Sequence, residues 1–391
     1  MPDTAAQTSR HPFSFNSPDF IANPFPTLNR LREEAPVLYH ADENCWSLSR
    51  HDDLVAAVKN HQVYSNAGGG YGSAQRGLGT YGPEVQKRRL SSRDEPSHGA
   101  LRKLMARSFT PGSMAALAPG IDSIVDQLIA EMRVKSRSPQ GAEFVRDFAY
   151  PLAVMSMNLI LGVPEEIRHL FRDYTGTVDD TVGEYFRRLT RMREESPGDD
   201  LTSRLIEAAR AGHEYLDSSE VNYMLAGLWT AGNWTTTLLL SNAMVLLQEM
   251  PGVLNAIAAS PALTEGFVEE SLRCAPPVIL TSKTTLSDVD IRGQRIPTGS
   301  KVLFCYGAAN RDPRVFEEPE TFDIRRTPNP HVSFTEGIHR CLGAPLARME
   351  AVAAFRKLSD PALNIRLDLS RAQKHVAGPF WGYRHLPVQV D

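Results

Sequence analysis

The residues best placed to do chemistry lie in FTEGIHRCLGAPLAR, Phe334 to Arg348, which sets one cysteine between glycines and ahead of a helical run. Gly337 and Gly343 allow a tight turn on either side of Cys341, and Pro345 suits the first turn of a helix. Leu342, Leu346, Met349 and Ala353 then recur at helical spacing. Cys341 is therefore expected at a helix N-terminus, where unpaired amides and the helix dipole favour a thiolate, the nucleophilic and metal-binding form. The opposing expectation is a small buried hydrophobe, the ordinary fate of a lone cysteine. The other cysteines, Cys45, Cys274 and Cys305, are scattered with no CxxC pair and no CxxCH. That pattern excludes a spaced zinc site and a covalent c-type haem by motif, and argues against a disulfide framework.

The elements that must position such a cysteine are mostly helical. From Asp94 to about Lys357 the apolar spacing is that of helices. The longest apolar run, Val221 to Leu247, carries Asn222, Asn233, Ser241, Asn242 and the threonines Thr235, Thr236 and Thr237. Its length alone would suit a membrane span, but those polar residues fit a helix buried in protein. Asp217 and Glu220 have capping-box spacing at its start, and Pro251 ends it. Buried threonine and asparagine need partners: a polar small molecule is one answer, bonding to the preceding helical turn the other. Short strands are expected in VLYHADENCWSLSR, from Lys283 to Phe304 around Gly293 and Gly299, and in RHLPVQV, as an edge strand holding Pro387. GLGTYG, Gly77 to Gly82, matches GxGxxG but lacks the flanking strand and helix of a nucleotide site. Asn66 to Arg93 reads instead as a long loop that could cover a binding site.

Composition agrees with one ordered globular chain of 391 residues, 42% hydrophobic and 23% charged. A formal charge of -4 offers no basic excess for nucleic acid. MPDTAAQTSRHPF has no apolar core of a signal peptide, so a soluble, cytoplasmic protein without membrane attachment is expected. We expect a mainly α protein with small β-sheets over residues 1–391, with a flexible stretch at residues 1–20.

Taken together, these segments resemble the cytochrome P450 family. FTEGIHRCLG fits its cysteine-ligand loop, F-x-x-G-x-H/R-x-C-x-G, and EESLR supplies its E-x-x-R as Glu270 and Arg273. ANRDP with FEEPETFDIRR, Ala309 to Arg326, and DEPSHGALRKLMARSFTP, Asp94 to Pro111, resemble two further family segments. The likeness extends from about Asn23 to Val388 and implies the single-domain cytochrome P450 fold. It implies haem b (iron protoporphyrin IX) held by Cys341, whose thiolate donates electron density that favours O–O cleavage. His98, Arg102 and His339 match the haem-propionate contacts, with Lys283 where the family usually has arginine; Phe334 and Gly343 belong to the same cofactor set. Glu270 and Arg273 are expected to hold the fold. Substrate is expected at Leu228, Ala231, Trp234, Val278 and Phe380.

Two departures stand out. Many family members read A-G-x-D/E-T, whose acid and threonine pass protons towards the oxygen being cleaved. Here AGNWTTT keeps Gly232 and Thr235 but puts Trp234 at the acid position, and an indole has no acid–base cycle. Asn233 or water could serve Thr235, or Trp234 could mark other chemistry. The second departure is length: the segment between Gly162 and Pro197, which in the family holds two roofing helices, is short. A reduced roof would favour an open pocket and a bulky or tethered substrate. The expected activity is a monooxygenase that inserts one oxygen atom from dioxygen into a small organic substrate. With no flavin or iron–sulfur region in the chain, ferredoxin and ferredoxin reductase are the expected electron partners, docking on Lys103, Arg107, Arg340 and Arg348. The alternatives are oxidative coupling or ring formation, and a non-catalytic haem-binding protein.

Overall fold

A computed structural model describes residues 13–15, 17–67, 88–172, 180–375 and 378–391. The helix Ser218–Glu249 runs through its centre. Asp217 caps it by accepting hydrogen bonds from the amides of Ser219 and Glu220, both at 2.8 Å. The reciprocal arm of the capping box is not the one expected, because the Glu220 carboxylate turns to Arg93, 2.5 Å away. The helix ends at Glu249, and Pro251 opens a separate helix, Pro251–Ala259. Leu225, Leu238, Leu240 and Leu247 are essentially inaccessible, so the apolar run is satisfied by protein. Among the described residues no single helix is long and apolar enough to cross a membrane.

Close packing fixes this helix against its neighbours. Gly232 lies on the helix Tyr150–Leu161, where an added Cβ would stand 2.6 Å from Met157 Sδ. On another face, Asn242 donates to the carbonyls of Ala275 (3.0 Å) and Trp381 (3.1 Å), tying the helix to the C-terminal hairpin. The helix Ala344–Leu358 joins the same core through Leu346, Ala354 and Phe355.

The small sheets occupy the flanks. A five-stranded sheet has the order Val37–His40, Cys45–Leu48, Lys301–Phe304, Thr281–Thr285, Tyr64–Ser65. It contains the hairpin expected from VLYHADENCWSLSR. Val289–Ile291 and Gln294–Ile296 form a second hairpin through Arg292 and Gly293, both at positive φ (50° and 76°), as a tight primed turn requires. The Pro387 strand differs from expectation. Pro387–Gln389 is the central strand of its three-stranded sheet, between Ala142–Glu143 and Arg366–Leu367. Proline is tolerated there because it is the strand's first residue and needs only to accept, from Asp368 N–H at 2.9 Å. The expectation of a flexible N-terminus also needs correction within the described part: Phe13, Phe15 and Phe20 are buried together. In the short roof segment, helices Arg168–Arg172 and Asp180–Glu195 are both present. GLGTYG and most of the Asn66 to Arg93 loop lie outside the described residues.

Glu270 and Arg273 are fully buried and pair through two hydrogen bonds, at 2.8 and 2.7 Å. Arg273 also donates to the carbonyls of Asn310, Pro319 and Thr321, while Glu270 accepts from Asp323 N–H, Arg326 and Asn329. Both charges are thereby satisfied, and the irregular segment before the cysteine loop is held from one helical turn. Replacing Arg273 with methionine strands a buried carboxylate. It is expected to cost roughly 3–5 kcal/mol of stability in chemical denaturation; a loss below about 1 kcal/mol would contradict this role.

Candidate active site

The loop carrying Cys341 is closed on itself. The Cys341 amide donates to the Phe334 carbonyl (2.9 Å), and the Arg340 amide to Gly337 (3.1 Å). Gly337 has φ 72°, and an added Cβ would lie 2.9 Å from Val58 O, so both conformation and the neighbouring backbone require glycine. Beyond the loop, Pro345 sits in the first turn of Ala344–Leu358, as expected. Cys45, Cys274 and Cys305 are buried, whereas Cys341 is accessible. It is nonetheless deep enough that burial pushes its thiol up, against hydrogen bonds from the Gly343 and Ala344 amides and the charges of Arg102 and Arg348. Accessibility at depth is what a residue lining an internal chamber shows. The helix-start amides alone do not bring this thiol below its ordinary value; a coordinated metal's charge would.

A second group of side chains supplies donors without acceptors. Among the described residues Lys283 Nζ and His339 Nε2 are buried with no hydrogen-bond partner, and His98 Nδ1 has only Glu95, at 3.6 Å. The His98 and His339 ring centroids are 4.1 Å apart. Burial, then Lys283 and His98, press His339 down to about 3; burial likewise lowers Lys283 to about 8 despite Asp94. Asp94 is itself engaged, by the Ser65 hydroxyl and the Asn66 amide. Orphaned donors of this kind call for an anion, and a planar dicarboxylate fits them. Arg102 Nη2 donates to the Arg340 carbonyl at 2.6 Å, which binds its helix to the cysteine loop with one of the guanidinium's five N–H groups. Gly343 has nothing within 4 Å of its would-be Cβ, leaving that side open to another group.

The long helix supplies a wall. Leu228, Ala231 and Thr235 fall on one face by helical spacing; Ala231 is exposed and the other two half-buried, on a helix otherwise largely buried. Thr235 Oγ1 donates to Ala231 O (2.7 Å), so its lone pairs remain as acceptors. Val278 and Phe380, both half-buried, are joined by a β-bridge, which brings these two distant residues together. Asn233 is buried, and neither amide atom has a partner among the described residues. Trp234 turns to His375, ring centroids 5.7 Å apart, and its buried Nε1 has no partner among the described residues. Sequence reasoning missed Glu350, a fully buried carboxyl on the cysteine helix. Burial pushes it up to about 8, opposed by the hydroxyls of Ser156 and Thr236. Its position four residues after Leu346 and three before Ala353, inside the apolar stripe, was the available signal.

A helical fold with an accessible cysteine at depth and a cluster of buried donors suits a haem-thiolate protein. The family model of cytochrome P450 matches residues 261–358. Cytochrome P450 monooxygenase PikC of Streptomyces venezuelae is 34% identical over 90% of this chain and 87% of its own. The structure of cytochrome P450 CYP109Q5 from Chondromyces apiculatus superposes with a TM-score of 0.86 at 30% identity, covering 96% of this chain and 97% of that one. P450BioI in complex with hexadec-9Z-enoic acid ligated acyl carrier protein superposes with a TM-score of 0.82 at 29% identity, over 95% and 100%. The chain belongs to the cytochrome P450 family. It is a haem-thiolate monooxygenase that binds haem b, takes electrons from a redox partner and acts on a small molecule.

Glu350 gives a pH prediction. Its folded value of about 8 stands above the ordinary 4.5, so the folded state holds the extra proton and stability falls as pH rises between those values. The slope is at most ~1.4 kcal/mol per pH unit. Glu350→Gln is expected to flatten that fall when denaturation midpoints of the haem-loaded protein are compared from pH 5 to 8; an unchanged slope would place the titration elsewhere.

Proposed function

We propose that Cys341 would supply the thiolate that holds the haem iron, that His98, Arg102, Lys283 and His339 would hold the haem carboxylates, and that Phe334 and Gly343 would line the cofactor. The accessible Cys341 sulfur, deep in the protein and backed by the Gly343 and Ala344 amides, is the observation that carries this reading. When bound, haem supplies the activation of dioxygen, and the thiolate's electron donation favours O–O cleavage. The chain's own residues then orient substrate and deliver protons. Leu228, Ala231, Val278 and Phe380 form a mainly apolar wall for a small organic substrate, as small-molecule sites generally have. Trp234 packs against the C-terminal hairpin beside that wall. Its contact with His375 favours structural support over a change of chemistry.

Proton delivery falls to Thr235. With its own hydroxyl proton given to Ala231, its oxygen accepts a hydrogen bond from the chamber side. Asn233 lies roughly 200° round the helix from Thr235, so water at the Thr235 face, and not this amide, replaces the acid lost at Trp234. The electron partner is an acidic ferredoxin served by its reductase, in the cytoplasm. It docks on the cysteine side of the molecule, where Lys103, Arg107 and Arg340 are exposed. Arg348 does not belong to that set, being bound to Glu269 by two hydrogen bonds.

Isotope-labelled dioxygen tests the reaction: the product should carry one labelled atom, and a coupled or cyclised product without label would favour oxidative ring or bond formation. Thr235→Ala is expected to lower product formed per reductant consumed by roughly tenfold, with hydrogen peroxide taking up the difference. Unchanged coupling would put the relay elsewhere. Arg107→Glu should slow reduction by ferredoxin about tenfold at low salt and less at high salt, the signature of electrostatic steering. Salt-independent reduction would exclude this face.

A further inference from the structure

We propose that Glu269, Arg348 and His331 form a positioning device that sets Phe334, and through it the Cys341 loop, for metal ligation. Glu269 stands next to Glu270 on the helix Leu263–Cys274, while Arg348 is in the second turn of Ala344–Leu358. Arg348 Nε and Nη2 donate to the two carboxylate oxygens of Glu269 at 2.6 and 2.8 Å, a planar fork-to-fork pair. The guanidinium carbon lies 4.5 Å from the Phe334 ring centroid. Phe334 in turn accepts the Cys341 amide at 2.9 Å. One planar cation therefore clamps a carboxylate on one helix and an aromatic ring at the root of the cysteine loop.

His331 closes the arrangement. Its Nδ1 accepts from the Ser333 amide (3.3 Å), which leaves Nε2 to donate to Glu269 (3.1 Å). The Ser333 hydroxyl donates to Leu272 O, again on the helix that carries Glu269. Burial would raise the Glu269 carboxyl, but Arg348 and His331 hold it at about 2. It remains an anion throughout the working pH range. Residues 331 to 334 are thus fastened to that helix before the chain turns towards Cys341. Arg348 also adds positive charge near the sulfur.

The inference rests on Cys341 being the ligand, and the test separates the two. Haem-loaded wild type is reduced with dithionite under carbon monoxide, which removes any need for a protein partner, and the thiolate-type absorbance is followed with time. Its absence in wild type would refute Cys341 ligation itself. With it present, Arg348→Lys, which keeps the charge but loses the fork and the stacked plane, should lose that absorbance roughly tenfold faster. Glu269→Gln should do the same, and the double variant Glu269→Gln/Arg348→Gln should match a single one, because one unit has been removed. Arg30→Gln, which breaks the exposed pair with Glu34, should leave the decay unchanged. Should a variant fail to take up haem, the remaining single variant and the double variant decide. Wild-type decay in Arg348→Lys and Glu269→Gln, with slower ferredoxin reduction only, would overturn the proposal and return Arg348 to the docking surface.

Discussion

The buried pair of Glu270 and Arg273 is the constraint on which the rest of the site depends. An ion pair with no exposure is costly unless every remaining donor and acceptor is used. Here backbone carbonyls from Asn310, Pro319 and Thr321 and donors from Asp323, Arg326 and Asn329 use them. An irregular segment that could not fold alone is thereby held by charge on one helical turn. Glu269 extends the same grip to His331 and Arg348. The cysteine loop has little regular structure because its position is imposed from outside.

What the loop faces is arranged at the expense of the empty protein. Burial lowers the readiness of Lys283, His98 and His339 to hold a proton, Lys283 and His98 add to the effect at His339, and burial pushes Cys341 towards the neutral thiol. A group bringing two carboxylates and a metal cation reverses both tendencies at once. Cofactor binding therefore stabilises the folded state in proportion to its affinity. The long helix contributes the opposite quality, a wall held by close packing, as at Gly232 against Met157.

Much of this was legible in the sequence, for different reasons. The cysteine loop, the long helix and its Asp217 cap could be read because glycines, proline and helical spacing act locally. The order of the small sheets could not, since Pro387 becomes central only through pairing with residues far away in the chain. Charge reading failed in the same way at Arg348: a sequence shows that a cation is present, not that Glu269 has already engaged it. Glu350 escaped because a carboxyl in an apolar stripe is unremarkable until its burial is seen. Val278 and Phe380 were placed by family likeness, and their bridge is visible only in three dimensions.

We propose Cys341 as the one sulfur that makes this a haem-thiolate enzyme. Wild type, Cys341→Ala and Cys274→Ala are compared after haem reconstitution, chemical reduction and addition of carbon monoxide. Wild type and Cys274→Ala should show the red-shifted thiolate absorbance, and Cys341→Ala should lose it completely. Persistence of that absorbance without Cys341 would contradict it.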